Sequence, residues 1–131
     1  MLSTPASPLR FPRLLLTGAA GYLGRELRPR LKTYCDVLRL SDRADPGPAA
    51  EGEEVQVTPL EDKDRVLALL SGVSAVVHLG GVSTEQPWDT ILAGNISGMV
   101  NLYEAARLQG VRRIVFASSN HVTGFYAQNE V

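Results

Sequence analysis

The residues with the most chemical potential sit at the end of the first apolar run. Arg13-Leu14-Leu15-Leu16-Thr17 leads into Gly18-Ala19-Ala20-Gly21-Tyr22-Leu23-Gly24, and a helical pattern through Leu23, Leu27 and Leu31 follows. Glycines spaced in this way between a strand and a helix bind phosphate through backbone alone. Gly18 permits a tight turn, Gly21 lets the backbone approach a pyrophosphate, and Gly24 lets the helix pack close to the sheet. Ala20, Tyr22 and Leu23 complete the loop and first turn, whose N–H groups and positive dipole end face the anion. Asp42 then follows Gly24 near the ~20-residue spacing of an acid that bonds the adenosine ribose 2′-hydroxyl. A carboxylate there repels a 2′-phosphate, so NAD is expected over NADP; Arg39 and Arg43 flank Asp42 and could soften that preference. A structural glycine turn and a solvated acid are the alternatives.

The elements that must position these residues alternate between strand and helix. Strands are expected at Arg13–Thr17, Val37–Leu40, Val55–Val57, Ala75–Leu79 and Ile114–Ala117, the last opening into Ser118-Ser119-Asn120-His121. Helices are expected after Gly21, over Glu61–Ser71 and over Pro87–Gln109, with Gly72 and Gly110 as terminators. Pro29 inside the first helix should kink or shorten it. Leu92, Ile96, Met99, Tyr103 and Ala106 give the longest helix an apolar stripe, and its sparsely charged outward face makes a homo-oligomer through this helix plausible. Such alternation predicts an α/β fold: a Rossmann-type doubly wound parallel sheet in the order 3-2-1-4-5, with right-handed crossovers.

Composition narrows the partners. The chain has 131 residues, 44% hydrophobic and 21% charged, the size of one domain. A net charge of −1 supplies no attraction to nucleic acid or to an anionic membrane, so neither is expected as partner. No stretch approaches the roughly 20 apolar residues of a membrane span. Cys35 is the single cysteine, which fits a reducing, cytoplasmic setting, and with two distant histidines it forms no metal-ligand cluster. Residues 1–12, with three prolines and no acid, read as a disordered extension or, less well, a transit peptide. Residues 13–131 read as a partial dinucleotide-binding domain.

The glycine pattern, the five-strand layout and the Ser118-Ser119-Asn120-His121 strand end resemble the extended short-chain dehydrogenase/reductase (NAD-dependent epimerase/dehydratase) family. Several stretches are most similar to bacterial uronate dehydrogenases: Leu15 to Gly21, Val77-His78-Leu79-Gly80-Gly81-Val82-Ser83, Asn101 to Arg107, and Ile114 to His121. The resemblance implies oxidation of a hexuronate (galacturonate or glucuronate) at its anomeric carbon to an aldarolactone, with NAD as hydride acceptor. It implies that Leu79, Gly80 and Gly81 pass over the cofactor and that Asn95 supports the nicotinamide ribose. Ser119 matches a catalytic serine on the reacting hydroxyl; Ser83, Asn120 and His121 match positions that hold the sugar acid. These groups suit sugar hydroxyls and a carboxylate. Plainer readings stand beside these: Ser83 with Gln86 as a helix capping box, Asn95 as an exposed polar residue, Ser119 and Asn120 as turn residues, His121 as structural. His78, inside a strand, reads as a packed side chain.

Two departures from the family pattern stand out. Its base is a tyrosine assisted by a lysine four residues later, because a phenol of pKa ~10 needs help to accept a proton near neutrality. Here Tyr103 is followed by Arg107 and Tyr126 by Glu130, so this chain alone is expected to be inactive. Pro59, in Thr58-Pro59-Leu60, replaces an acid near the adenine, leaving Leu60 to pack on the ring. A nucleotide-sugar epimerase or dehydratase relative, and a non-catalytic NAD-binding module, are the alternative functions.

Overall fold

The computed structural model describes residues 9–124 together with 127 and 129. Five parallel strands form one sheet: β1 (Phe11–Thr17), β2 (Cys35–Ser41), β3 (Glu53–Val55), β4 (Ala75–His78) and β5 (Arg113–Phe116), in the order β3-β2-β1-β4-β5. The helices are α1 (Tyr22–Leu31), α2 (Lys63–Leu69), α3 (Trp88–Ile91) and α4 (Gly98–Leu108). The expected α/β architecture and strand order are those observed. β1 starts at Phe11, inside the stretch read from sequence as an extension.

Side-chain alternation along β1 divides the core between two faces. Leu15 joins Val66, Leu69 and Leu70 of the α2 region, Val76, and Leu102, Ala105 and Ala106 of α4. Leu14 and Leu16 join Ala19, Cys35, Leu38 and Leu40, with Leu31 of α1 against them. Each fully buried leucine contributes about 2 kcal/mol of transfer free energy. The sheet is therefore covered on both sides, and its carboxyl-end edge stays open for a ligand.

Three elements differ from expectation for identifiable reasons. β3 lies two residues earlier, because its charges are paired: Glu53 accepts both a bidentate contact from Arg28 of α1 and the Ala50 N–H, while Glu54 bonds Arg13 and Arg39. The Arg28 hydrogen bonds hold the nearly buried Glu53 carboxyl below its usual pKa range. Arg28 also donates to the carbonyls of Pro46 and Pro48, fastening the β2–β3 loop to α1. Pro29 does not end α1, which runs two residues further before a 3₁₀ turn over Lys32–Tyr34. The missing N–H falls in the last turn, and Pro29 itself is exposed, so water can reach the freed carbonyl.

The long helix is the third. It is interrupted by a π-helical turn, Leu92–Ser97, between α3 and α4. The wider turn shifts the helix phase, so the expected stripe marks the core face only in part: Ala106 is buried and Leu92 and Met99 are half-buried, but Ile96 and Tyr103 are not. Gly98, Leu102, Ala105 and Ala106 are buried, whereas Ile96, Val100 and Tyr103 are exposed. Among the described residues no helix is long and apolar enough to cross a membrane.

Candidate functional site

The candidate positions with described side chains sit at the carboxyl end of the sheet, in the loops that follow it, in the first turn of α1 and, for Asn95, on the π-helical turn. After β1, Gly18 adopts φ +70°, which a side chain rarely tolerates, and a Cβ there would lie 2.7 Å from the Leu79 carbonyl carbon. A Cβ on Gly24 would lie 2.1 Å from the Gly18 oxygen. These two glycines let the β1–α1 loop, the first turn of α1 and the β4 loop crowd together. Gly21 is the N-cap of α1 and has more room. Among the described residues no side chain caps α1, and its first turn holds no acid, so the first-turn N–H groups are left facing the groove.

The acid of β2 closes this cradle from the other side. One carboxylate oxygen of Asp42 accepts the Ala20 N–H at 3.0 Å; the other accepts the N–H groups of Arg43 and Ala44. Asp42 therefore stands beside the glycine loop, as a ribose-binding acid must. The two arginines beside it are both occupied. Arg39 bonds Glu54 and the Leu69 and Ser71 carbonyls at the end of α2, away from the groove, and Arg43 is ion-paired with Glu61.

Three contiguous cavities share Gly80 and Gly81. One is lined by Ser41, Asp42 and Arg43 after β2 and by Thr58, Leu60 and Glu61 after β3. A second follows the cradle past Gly18, Ala20, Gly21, Tyr22, Leu23, Gly24 and Asp42 to Leu79 and Ser83. The third is lined by Leu79 to Ser83, Asn95, Met99 and Phe116 to Ser119. Pro59 lines none of the three. Leu60 is held from behind by α4: Gly98 gives it room, and Asn101 donates to the Leu60 and Glu61 carbonyls.

The β4 loop is fixed by two groups of bonds. Thr17, at the end of β1, accepts the Gly80 N–H at 3.1 Å and stands 2.6 Å from Nδ1 of buried His78. Burial pushes the imidazole pKa down to about 4. The neutral ring and the Thr17 hydroxyl share one hydrogen bond at Nδ1, its donor set by the ring's tautomer. His78 also stacks on Phe116, with ring centroids 5.5 Å apart. Its role in the structure is thus packing and positioning. Asn95, on the π-helical turn, accepts the Val82 N–H at 2.6 Å and donates to the Val82 carbonyl at 2.9 Å. It is a clamp on the loop and not a free polar residue.

The substrate-side candidates are less closely assembled. Ser83 lines two of the cavities, and no capping box forms with Gln86, because the helix begins at Trp88 with Pro87 as its cap. Ser119 lines the third cavity, but its hydroxyl accepts the His121 N–H in a local turn. His121 is exposed on the following 3₁₀ turn and does not line that cavity. The side chain of Asn120 and all of Tyr126 lie outside the described residues. Sequence reasoning overlooked Thr17, Val82, Glu61 and Asn101; their partners are distant in sequence, and no local pattern marks them.

Comparison with known proteins agrees with this fold. The model of the NAD dependent epimerase/dehydratase family matches residues 14–130. Uronate dehydrogenase of Pseudomonas syringae pv. tomato is 56% identical over 99% of this chain and 48% of its own length. The crystal structure of uronate dehydrogenase from Agrobacterium tumefaciens superposes with a TM-score of 0.87 at 50% identity, over 94% of this chain and 46% of that one. A mutant of that enzyme complexed with NAD gives 0.86 at 52% identity, over 89% and 44%. The chain spans about half the length of the curated relatives it matches. With a fold, a glycine cradle and a family match that coincide over the same residues, the chain belongs to the NAD dependent epimerase/dehydratase family.

Proposed function

We propose that this chain is the NAD-binding part of a dehydrogenase that oxidises hexuronates to aldarolactones. The observation that carries the cofactor reading is the meeting of Asp42 with Ala20 at the mouth of a cradle whose close approaches require glycine at positions 18 and 24. The first turn of α1 would hold the pyrophosphate, and Asp42 would take the adenosine ribose hydroxyls. Thr58, Leu60 and Glu61 would wall the adenine end, and the turn of Leu79, Gly80 and Gly81 would pass over the cofactor. NAD supplies the hydride acceptor when bound; the chain's residues position it and exclude water. The likeness to uronate dehydrogenases supports the sugar acid as substrate, with Ser83, Ser119, Asn120 and His121 holding its hydroxyls and carboxylate. Accepting the His121 N–H leaves the Ser119 hydroxyl able to donate its own hydrogen bond to the reacting oxygen.

The 131 residues contain no Tyr-x-x-x-Lys pair, so binding and turnover separate in this chain. Purified chain is expected to bind NAD saturably and to produce no NADH from galacturonate or glucuronate. Turnover at enzymatic rates would contradict the assignment of the base; failure of folded chain to bind NAD would contradict the cofactor reading.

A further inference from the structure

Arg43 follows the ribose-side acid directly, and an arginine beside such an acid is chemically suited to a 2′-phosphate, which it can grip bidentately. On sequence alone it competes with Asp42 over which dinucleotide is accepted. The structure places a third charge in this contest. Glu61, two residues beyond Pro59, reaches across the adenine-end cavity and pairs with the Arg43 guanidinium. Among the described residues, Asp42, Arg43 and Glu61 are the only charged ones that line this cavity. Arg39, the other arginine beside Asp42, is tied to Glu54 and to two carbonyls of the α2 end.

Glu61 is well placed to hold this pairing. Asn101 of α4 donates to the carbonyls of both Leu60 and Glu61, and Gly98 brings α4 against the Leu60 side chain. Asp62, the next residue, caps α2 by accepting the Arg65 N–H. The backbone that carries Glu61 is therefore fixed on both sides, while the Arg43 side chain is long and 63% exposed. In this pair Glu61 stands on a backbone fixed on both sides, and Arg43 has the longer and more exposed side chain.

We infer that Glu61 is a specificity-determining residue: it sequesters Arg43 across the adenine end of the groove, leaving Asp42 to exclude a 2′-phosphate unopposed. The inference rests on the NAD-binding reading above. An exposed ion pair contributes little to stability, so its effect is on selectivity and not on folding.

The test is a fluorescence titration of the full chain and its variants with NADH and with NADPH, read as the ratio of the two dissociation constants. Glu61→Gln keeps the shape and releases Arg43. It is expected to shift the ratio of the two dissociation constants roughly tenfold toward NADPH, the scale of one charge-assisted contact. A gain that came only from removing a negative charge near the 2′-phosphate would survive loss of Arg43, so the double variant Arg43→Ala/Glu61→Gln, compared with Arg43→Ala, is decisive: there Glu61→Gln must bring no gain in NADPH affinity. Glu104→Gln, which breaks the remote Glu104–Arg107 pair, must leave the ratio unchanged. An unaltered ratio in Glu61→Gln, or a gain that survives loss of Arg43, overturns the inference while NADH binding stands. No binding of either nucleotide by folded wild-type chain overturns the NAD reading itself.

Discussion

The two halves of the groove are built differently. On the β1–β2 side, the binding surface is backbone held by backbone and by one carboxylate: Gly21 N–H bonds the Gly18 carbonyl, Ala19 N–H the Ser41 carbonyl, and Ala20 N–H the Asp42 side chain. Little there depends on a side chain finding its rotamer. On the β4–β5 side the loop from Leu79 to Val82 is just as firmly held, by Thr17, His78 and Asn95, but the side chains that follow β5 are not. Ser119 bonds within its own turn, and Val115, Phe116, Ser119 and His121 are exposed. Cofactor binding is therefore expected to be self-contained within these residues, whereas the surface beyond β5 is open and held only by local bonds.

The cradle side is most vulnerable at Gly24. An alanine Cβ has no space beside the Gly18 oxygen, so Gly24→Ala should push α1 off the cradle, cost about 3 kcal/mol, and abolish detectable NAD binding. Urea unfolding and nucleotide titration together check this. An unchanged midpoint would show that the close approach of α1 is not required.

His78 tests the other side through pH. Its folded pKa lies at about 4 against 6.5 in the unfolded chain, so the folded state resists the proton that the unfolded state accepts. The associated stability is fully present above pH 6.5 and is lost as pH falls from 6.5 toward 4. A depression of this size corresponds to about 3 kcal/mol of stability in all. Urea midpoints measured from neutral pH down toward the folded pKa should fall in the wild type and stay nearly level in His78→Gln. Parallel profiles for the two proteins would contradict a buried neutral imidazole.

The smallest expected effect is at Asn95. Asn95→Ala removes two hydrogen bonds to Val82, about 1–2 kcal/mol, and should speed amide exchange at Val82 roughly tenfold while leaving exchange at Ala20 unchanged. Equal acceleration at both amides would show that the two sides of the groove are not independent.

Much of this was legible in the sequence because it is local. The glycine spacing, the apolar runs of β1, β2 and β4, and the position of Asp42 are each set by neighbours a few residues away. What escaped reading is what depends on distant partners. Glu53 and Glu54 look like loop residues until Arg28, Arg13 and Arg39 neutralise them in β3. The π-helical turn at Leu92–Ser97 leaves no mark in the apolar pattern, yet it changes which face of α4 is buried and puts Asn95 on the loop. Thr17 and His78, or Arg43 and Glu61, are brought together only by the order of strands.

The most direct measurement is a calorimetric titration of the purified 131-residue chain with NAD, repeated with NADP. Saturable binding of NAD and clearly weaker binding of NADP are expected. A chain that is folded by circular dichroism and takes up no NAD would contradict the claim that the cradle and Asp42 form a self-contained cofactor site.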